Sequence, residues 1–211
     1  MDIIHIEAKA DVDITLPEEH ISKLPPRLGL ITTIQHLHKM DMVKEQFPAG
    51  VIGGQILGCD TSNAQRIRDS VDAFLYIGSG RFHPLAVRLQ TGKPVYTYDP
   101  FSSTFASVSE EDASRFEKKR KGALMKFLNA RRIGILVTTK PGQNDIEGAL
   151  RLKRETDKEA FIFISDGITP DIADSFRFID CFVNTACPRI SEDAFPKPII
   201  NIHDLPDTKG K

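Results

Sequence analysis

The chain has 211 residues, of which 40% are hydrophobic and 27% are charged, with a formal net charge of -1. These values are ordinary for a globular protein of one large or two small domains, and they exclude a general electrostatic attraction to nucleic acid or to anionic membranes. No apolar run approaches the roughly 20 residues that span a bilayer. The chain begins with Asp2 and Glu7 but no basic amino-terminal region, which is unlike a secretory signal. We therefore expect a cytoplasmic protein.

Residues 1–27 predict the end of a preceding domain followed by a linker. Their apolar content is thin apart from Ile3, Ile4 and Ile6, and Pro25-Pro26 close the segment. We expect these isoleucines to form a last strand rather than to begin an independent domain.

Residues 28–105 predict a central α/β domain. Four apolar, strand-like runs alternate with helical patterns, one of which extends from His36 to Phe47. Buried strands that alternate with helices are typical of a parallel sheet covered on both faces. Residues 99–108 are rich in Ser and Thr and are expected to form the connection to the next domain.

Residues 106–205 predict a second domain of the same kind. Ser109 is expected to cap a long helix that ends near Ala130 and buries an apolar stripe including Leu128. Four more strand-like runs follow, and residues 206–211 form a polar tail. The predicted fold class is therefore α/β, with two similar small domains, each a parallel β-sheet flanked by helices.

A weak internal repeat supports this division. Gly29-Leu-Ile-Thr-Thr resembles Gly134-Ile-Leu-Val-Thr-Thr, and Phe74-Leu-Tyr-Ile-Gly-Ser-Gly resembles Phe161-Ile-Phe-Ile-Ser-Asp-Gly. Because the two pairs have different offsets, the repeat indicates similar structure rather than strict duplication.

The chain has three cysteines, and a small, odd number of cysteines argues against a disulfide framework. Cys59 and Cys187 each follow a strand-like run and have small neighbours, a setting that suits thiolate ligands of a metal or cluster. Burial as small hydrophobic residues is the alternative for both thiols. Cys181 lies within an apolar strand and is expected to be buried. No Cys-x-x-Cys pair is present, so a structural zinc site is not expected.

Two further loops lie where a strand passes into a helix, the edge at which doubly wound sheets bind ligands. The backbone N–H groups of Gly78-Ser-Gly-Arg-Phe-His-Pro could take a carboxylate or phosphate, although the third glycine of a dinucleotide motif is missing. In Thr138-Thr-Lys-Pro-Gly-Gln, the lysine and glutamine could bind an anion or an amide. For each loop, the alternative is a plain turn without a ligand. A further functional hypothesis is that the chain binds a small phosphate-containing molecule at Gly78–Gly80.

Two other patterns argue against sites. His36 and His38 are two residues apart, and this spacing does not place them on one helix face, so they do not predict a metal pair. Lys118–Lys121 indicate a solvated helix face, and no clustered aromatic residues support a nucleic-acid site there.

Taken in order, five segments resemble the diphthamide synthase family, the 2-(3-amino-3-carboxypropyl)histidine synthases. They are Ile31-Thr-Thr-Ile-Gln-His-Leu-His, Gly54-Gln-Ile-Leu-Gly-Cys-Asp, Gly78-Ser-Gly-Arg-Phe-His-Pro-Leu, Thr139-Lys-Pro-Gly-Gln and Asn184-Thr-Ala-Cys-Pro-Arg-Ile. The resemblance implies a cytoplasmic iron–sulfur transferase whose three similar α/β domains each give one cysteine to a single [4Fe–4S] cluster. Such enzymes act as dimers. They cleave S-adenosylmethionine to a 3-amino-3-carboxypropyl radical, which adds to one histidine of translation elongation factor 2 in the first step of diphthamide synthesis.

Transferred by position, the resemblance makes Cys59 and Cys187 the cluster ligands of the central and carboxy-terminal domains. The residues expected to line the cofactor pocket are Gln35, Gly78, Ser79, Gly80, Arg81, His83, Lys140 and Gln143. The family's amino-terminal domain, with its cysteine, is expected to be missing, and no catalytic side chain or electron donor is indicated. We therefore expect that a separate chain or a homodimer supplies the third ligand, that the chain is a fragment, or that it is a non-catalytic accessory subunit.

Overall fold

The computed structural model describes residue 4 and residues 6–206. Ile3 of the expected first strand and residues 207–211 of the expected tail therefore lie outside the described residues. None of the described helices is both long and apolar enough to span a membrane.

The chain forms two compact units, Met1–Ala113 and Ser114–Lys211. The division expected from the sequence lies between residues 105 and 106. The first unit extends further along the chain because residues 104–107 add a strand to its sheet.

The sheet of the first unit has five strands in the order β2-β1-β3-β4-β5. They are β1 (Leu28–Thr32), β2 (Val51–Gln55), β3 (Ala73–Ile77), β4 (Val95–Asp99) and β5 (Thr104–Ser107). The first four are parallel, as predicted, whereas β5 is antiparallel to β4. The predicted connection therefore contains a strand that the sequence did not predict. Residues 100–103 form a turn, and Phe105 on β5 then stacks on Tyr96 of β4 with ring centroids 6.0 Å apart.

The helices of this unit are short; the first precedes β1, and the other three lie between strands. They are α1 (Glu18–Ile21), α2 (Met40–Gln46), α3 (Ser62–Ile67) and α4 (Phe82–Thr91). The helix predicted to begin at His36 begins at Met40, because Leu37–Lys39 form a 3₁₀ turn instead. Gly92 ends α4 with a φ of 69°, the left-handed conformation that favours glycine at a helix end.

The described part of the amino-terminal segment packs on the first unit. Its described residues before α1 form no strand, and Ile14 and Leu16 are each 3% exposed within the core of the first unit. The side chain of Gln46 binds this segment by accepting from the Leu16 N–H at 2.9 Å and donating to the Ile14 carbonyl at 2.7 Å. This packing was not predicted, because Ile14 and Leu16 contact core residues that lie far along the chain.

The second unit contains a four-stranded, fully parallel sheet in the order β7-β6-β8-β9. Its strands are β6 (Arg132–Thr138), β7 (Glu159–Ser165), β8 (Cys181–Asn184) and β9 (Ile199–Asn201). The helices that lead into it and connect it are α5 (Glu110–Asn129), α6 (Ile146–Glu155) and α7 (Ile172–Ser175). The Asp112 N–H donates to the Ser109 hydroxyl at 3.0 Å, which confirms the predicted cap of α5. Leu128 is 51% exposed, so its place in the apolar stripe was wrong.

Strand register shows which parts of the two units correspond. Gly29 pairs with Phe74, and Gly134 pairs with Phe182. A Cβ added to either glycine would lie within 2.6 or 2.7 Å of the neighbouring ring. The Gly29–Gly134 repeat is therefore confirmed as structural, but the counterpart of Phe74 is Phe182 on β8 and not Phe161 on β7.

Candidate functional site

The carboxyl ends of the parallel strands carry the predicted site residues of both units. In the first unit the connections after β1 and β3 leave in opposite directions along the sheet, which places a ligand-binding crevice outside these two strand ends. Gln35 follows β1, Cys59 follows β2 and Gly78–His83 follow β3.

The second unit repeats the arrangement between β6 and β8. Lys140 and Gln143 follow β6, and Cys187 follows β8. The structure therefore brings each unit's predicted residues to the edge that binds ligands in such sheets.

A tight turn presents Cys59 to solvent. The Leu57 N–H donates to the Asp60 carbonyl at 2.8 Å, and the Asp60 N–H donates back to the Leu57 carbonyl at 3.2 Å. Gly58 packs against the ring of Phe82, which any side chain at position 58 would overlap. The thiol is exposed at the centre of this turn, so it is available as a ligand and was not correctly described by the burial alternative.

The backbone of Cys187 is fixed by hydrogen bonds that involve buried polar side chains. The Asn184 side-chain NH2 donates to the Cys187 carbonyl at 2.9 Å and to the Asn201 side-chain oxygen at 2.8 Å. Asn184 and Asn201 are 1% and 7% exposed. The Ile190 N–H also donates to the Cys187 carbonyl, at 3.0 Å. The thiol is partly exposed, so the backbone is fixed while the sulfur stays accessible.

Cys181 is different from the other two thiols. It is fully buried in the core of the second unit, as predicted. Burial raises the pKa of the Cys181 thiol to about 12. It therefore stays protonated at neutral pH and is a poor metal ligand.

The loop Gly78–His83 is built over a buried tyrosine. Gly78 and Gly80 have φ angles of 144° and 84°. The Tyr76 hydroxyl donates to the Ser79 carbonyl at 3.3 Å, and a Cβ on Gly78 would lie 2.9 Å from that hydroxyl. The ring of His83 stacks on Tyr76 with centroids 6.1 Å apart, and burial lowers the pKa of His83. The loop therefore needs glycine both for its backbone conformation and for its approach to Tyr76.

The charged side chains predicted for the pocket are largely exposed. The guanidinium of Arg81, 78% exposed, pairs with the carboxylate of Asp112. Lys140 and Gln143 are exposed in a turn in which the Gln143 N–H donates to the Lys140 carbonyl at 3.2 Å. Gln35 is also exposed. Their side chains are free of the core and project from the strand ends as a ligand-binding role requires.

One buried residue of this edge was not predicted as part of the site. His36 is 0% exposed, and neither of its ring nitrogens has a hydrogen-bond partner. Burial lowers the pKa of His36, although the nearby charge of Asp99 opposes this effect. From the sequence, His36 was expected not to form a metal pair with His38, and it lies in the first segment of the family resemblance. Its position beside Gln35, directly after a buried strand, was the signal available.

The donor set fits a thiolate-bound group only in part. Among residues 4 and 6–206, no cluster of three or more His, Cys, Asp or Glu side chains is arranged to hold a metal ion. Each unit instead presents one accessible thiol at the carboxyl edge of its sheet. Each of these thiols is chemically suited to be one thiolate ligand of an iron–sulfur cluster, a group usually held by four.

Comparison with known proteins identifies the family. The family described as putative diphthamide synthesis protein matches residues 1–206. The chain is 33% identical to a 2-(3-amino-3-carboxypropyl)histidine synthase of Methanocaldococcus jannaschii, over 82% of this chain and 49% of the relative. It is 28% identical to subunit 1 of the human synthase, over 92% of this chain and 49% of the relative.

A solved structure agrees with the sequence comparison. The crystal structure of Dph2 from Pyrococcus horikoshii with a 4Fe-4S cluster matches with a TM-score of 0.74 and 30% identity, over 88% of this chain and 58% of that chain. The α/β fold class predicted from the sequence is thereby confirmed. The chain spans about half the length of the curated relatives it matches. By its sequence and its fold, the chain belongs to the diphthamide synthesis family.

Proposed function

We propose that this chain forms part of a 2-(3-amino-3-carboxypropyl)histidine synthase. The reaction moves a 3-amino-3-carboxypropyl group from S-adenosylmethionine to a histidine of translation elongation factor 2. The observation that carries the proposal is that Cys59 and Cys187 lie at the carboxyl edges of two sheets whose four parallel strands follow the same order. Support comes from relatives that bear the name of this enzyme and from the cluster named in the related Dph2 structure.

Cys59 and Cys187 would hold a [4Fe–4S] cluster as thiolates. When bound, such a cluster supplies the electron that breaks a C–S bond of S-adenosylmethionine. The turn between Leu57 and Asp60 fixes the backbone at Cys59, and Asn184 fixes it at Cys187. Further ligands of the cluster would come from outside these two units.

The remaining predicted residues would bind and orient the sulfonium substrate. Lys140 can pair with its carboxylate, and Gln35 and Gln143 can hydrogen-bond its polar groups. The backbone N–H groups of Ser79 and Gly80 offer further donors at the strand ends, whereas the Gly78 N–H already donates to the Tyr98 carbonyl at 2.9 Å. We expect the enzyme to act in the cytoplasm, where its protein substrate is made and used.

A second candidate is a non-catalytic accessory subunit of the same pathway. The observation that favours it is that the chain offers two accessible thiols, while Cys181 is buried and protonated. Such a subunit would bind elongation factor 2 or another synthase chain without cleaving S-adenosylmethionine.

A transfer assay separates the two candidates. The full chain, reconstituted anaerobically with iron and sulfide and reduced with dithionite, is mixed with elongation factor 2 and S-adenosylmethionine labelled in its carboxyl group. The synthase predicts label on one histidine, lost in Cys59→Ser and Cys187→Ser but kept in Cys181→Ser. Unlabelled elongation factor 2 that co-purifies with the chain supports the accessory subunit, and neither label nor binding contradicts both.

A further inference from the structure

His36 is the most unusual polar side chain in the described part of the chain. Its ring is 0% exposed, and Nδ1 and Nε2 are both without a hydrogen-bond partner. A neutral imidazole carries one N–H donor and one bare nitrogen acceptor, and burying either without a partner costs about 1–3 kcal/mol. The folded chain therefore keeps a donor and an acceptor unused in its interior.

A hydroxyl in the same turn is in the same condition. The His36 N–H donates to the Thr33 carbonyl at 3.2 Å, so the two residues close one turn directly after β1. The Thr33 hydroxyl oxygen is buried and also has no partner. This turn borders the crevice between the ends of β1 and β3, where sheets of this topology bind ligands.

A single aromatic ring lies over His36. Phe101 is 60% exposed, and its ring centroid is 5.7 Å from that of His36 at an interplanar angle of 55°. It belongs to the turn 100–103, in which Ser103 has a left-handed φ of 53°. A large apolar ring exposed to water above an unpaired imidazole is an unfavourable arrangement that a bound ligand would relieve.

Asp99 adds a negative charge beside these groups. Its charge acts on the His36 ring, and its side chain accepts the Phe101 N–H at 3.0 Å. An α-amino acid places an anionic carboxylate and a cationic ammonium on one carbon. The donor nitrogen of His36 and the Thr33 hydroxyl match the carboxylate, whereas Asp99 matches the ammonium.

We propose that His36 and Thr33 bind the α-amino acid end of S-adenosylmethionine once the ring of Phe101 moves aside, an assignment that rests on the function proposed above. Phe101 then acts as a displaceable cover, and His36 becomes a substrate-binding residue. The same turn carries Gln35, so one short segment after β1 would present both an exposed and a buried contact.

Equilibrium binding of two related molecules tests this assignment. The full chain, reconstituted with iron and sulfide and kept oxidised, is titrated with S-adenosylmethionine and with 5′-methylthioadenosine, which lacks the amino acid end. His36→Ala is expected to weaken binding of S-adenosylmethionine by about tenfold or more, the effect of losing a hydrogen bond to a charged group. Its affinity for methylthioadenosine should change by less than about twofold.

Matched variants separate binding from folding. His38 is exposed and only two residues away, so His38→Ala is expected to leave both affinities unchanged. His36→Gln keeps a donor and an acceptor and should recover part of the lost affinity. Phe101→Ala should tighten binding of S-adenosylmethionine by about threefold, because no cover has to move.

The binding results distinguish failure of the His36 assignment from failure of the proposed function. If the unaltered chain binds methylthioadenosine but not S-adenosylmethionine, or binds neither molecule, the proposed function fails and takes this assignment with it. If S-adenosylmethionine binds and His36→Ala binds it equally well, only the role of His36 is overturned. Equal weakening of both molecules contradicts contact with the amino acid end, and weaker binding by Phe101→Ala contradicts the cover.

Discussion

The two units share one strand order but place their cysteines on different strands. The orders β2-β1-β3-β4 and β7-β6-β8-β9 correspond strand by strand. Cys59 follows β2, whereas Cys187 follows β8, the counterpart of β3. A shared fold therefore fixes the edge at which chemistry occurs, but not the loop that carries it.

The true counterpart of Cys187 in the first unit is Ser79. Tyr76 and Asn184 each lie two residues beyond the phenylalanine that packs on the central glycine. Each side chain donates to the carbonyl three residues further on, that of Ser79 at 3.3 Å and that of Cys187 at 2.9 Å. We call this hydrogen bond from side chain to backbone carbonyl the brace. It supports a glycine loop in the first unit and a cysteine loop in the second.

The largest expected effect breaks the brace in the second unit. Asn184→Ala removes three hydrogen bonds, those to the Asn201 side-chain oxygen, to the Cys187 carbonyl and from the Ala186 N–H, although the Cys187 carbonyl still accepts from the Ile190 N–H. At about 1 kcal/mol for each bond, we expect a loss of about 3 kcal/mol in the free energy of unfolding, measured by urea denaturation. Tyr76→Phe removes one long hydrogen bond and should cost about 1 kcal/mol. If the two variants lost the same free energy of unfolding, the claim that the Asn184 hydrogen bonds contribute more to stability than the Tyr76 hydrogen bond would be contradicted.

The next effect tests the correspondence of the central glycines. In Gly29→Ala and Gly134→Ala, the new methyl group overlaps the ring of Phe74 or Phe182. Each should lower the free energy of unfolding by about 1–3 kcal/mol, the usual cost of overpacking a core. Gly122→Ala is the control. It lies within α5 with open space at its Cβ, and should stabilise the chain by about 0.5–1 kcal/mol. If only one of the two variants, Gly29→Ala or Gly134→Ala, left the free energy of unfolding unchanged, the two glycines would not be structurally equivalent.

The smallest effect concerns pH and the first unit. Burial lowers the pKa of His36 and His83 below the ordinary value of 6.5. Just below pH 6.5 the unfolded chain therefore binds protons that the folded chain does not. Stability from these groups is fully present above pH 6.5 and is lost as the pH falls through their folded pKa values.

Urea denaturation across this pH range measures the effect. The decline should be smaller in a His36→Gln, His83→Gln variant. The carboxyl groups whose pKa is lowered, Asp60, Asp72 and Asp180, act below pH 3.8 and do not interfere. An identical decline in the variant would assign the pH dependence elsewhere.

The sequence predicted the strands well because they are buried apolar runs bounded by glycine or polar turns. β1 and β3 are fully buried, and their bounds lie close to those expected. The sequence could not show that Thr104–Ser107 form an edge strand, since Ser and Thr are as common in turns as on a solvated edge. Nor could it show that Ile14 and Leu16 enter the core, because those contacts join segments far apart in the chain.

The site was predictable in outline but not in its support. The positions of Cys59 and Cys187 after strands followed from the local pattern. The brace from Asn184, the pairing of Arg81 with Asp112 and the isolation of His36 depend on tertiary contacts that spacing does not encode.

Iron and sulfide content tests the central claim most directly. The full chain and its Cys59→Ser, Cys187→Ser and Cys181→Ser variants are reconstituted anaerobically, and iron and acid-labile sulfide are measured for each. We expect about four irons per cluster in the unaltered chain and in Cys181→Ser, and a loss of most iron in the other two variants. Iron bound equally by all four proteins, or by none of them, would contradict the assignment of Cys59 and Cys187 as cluster ligands.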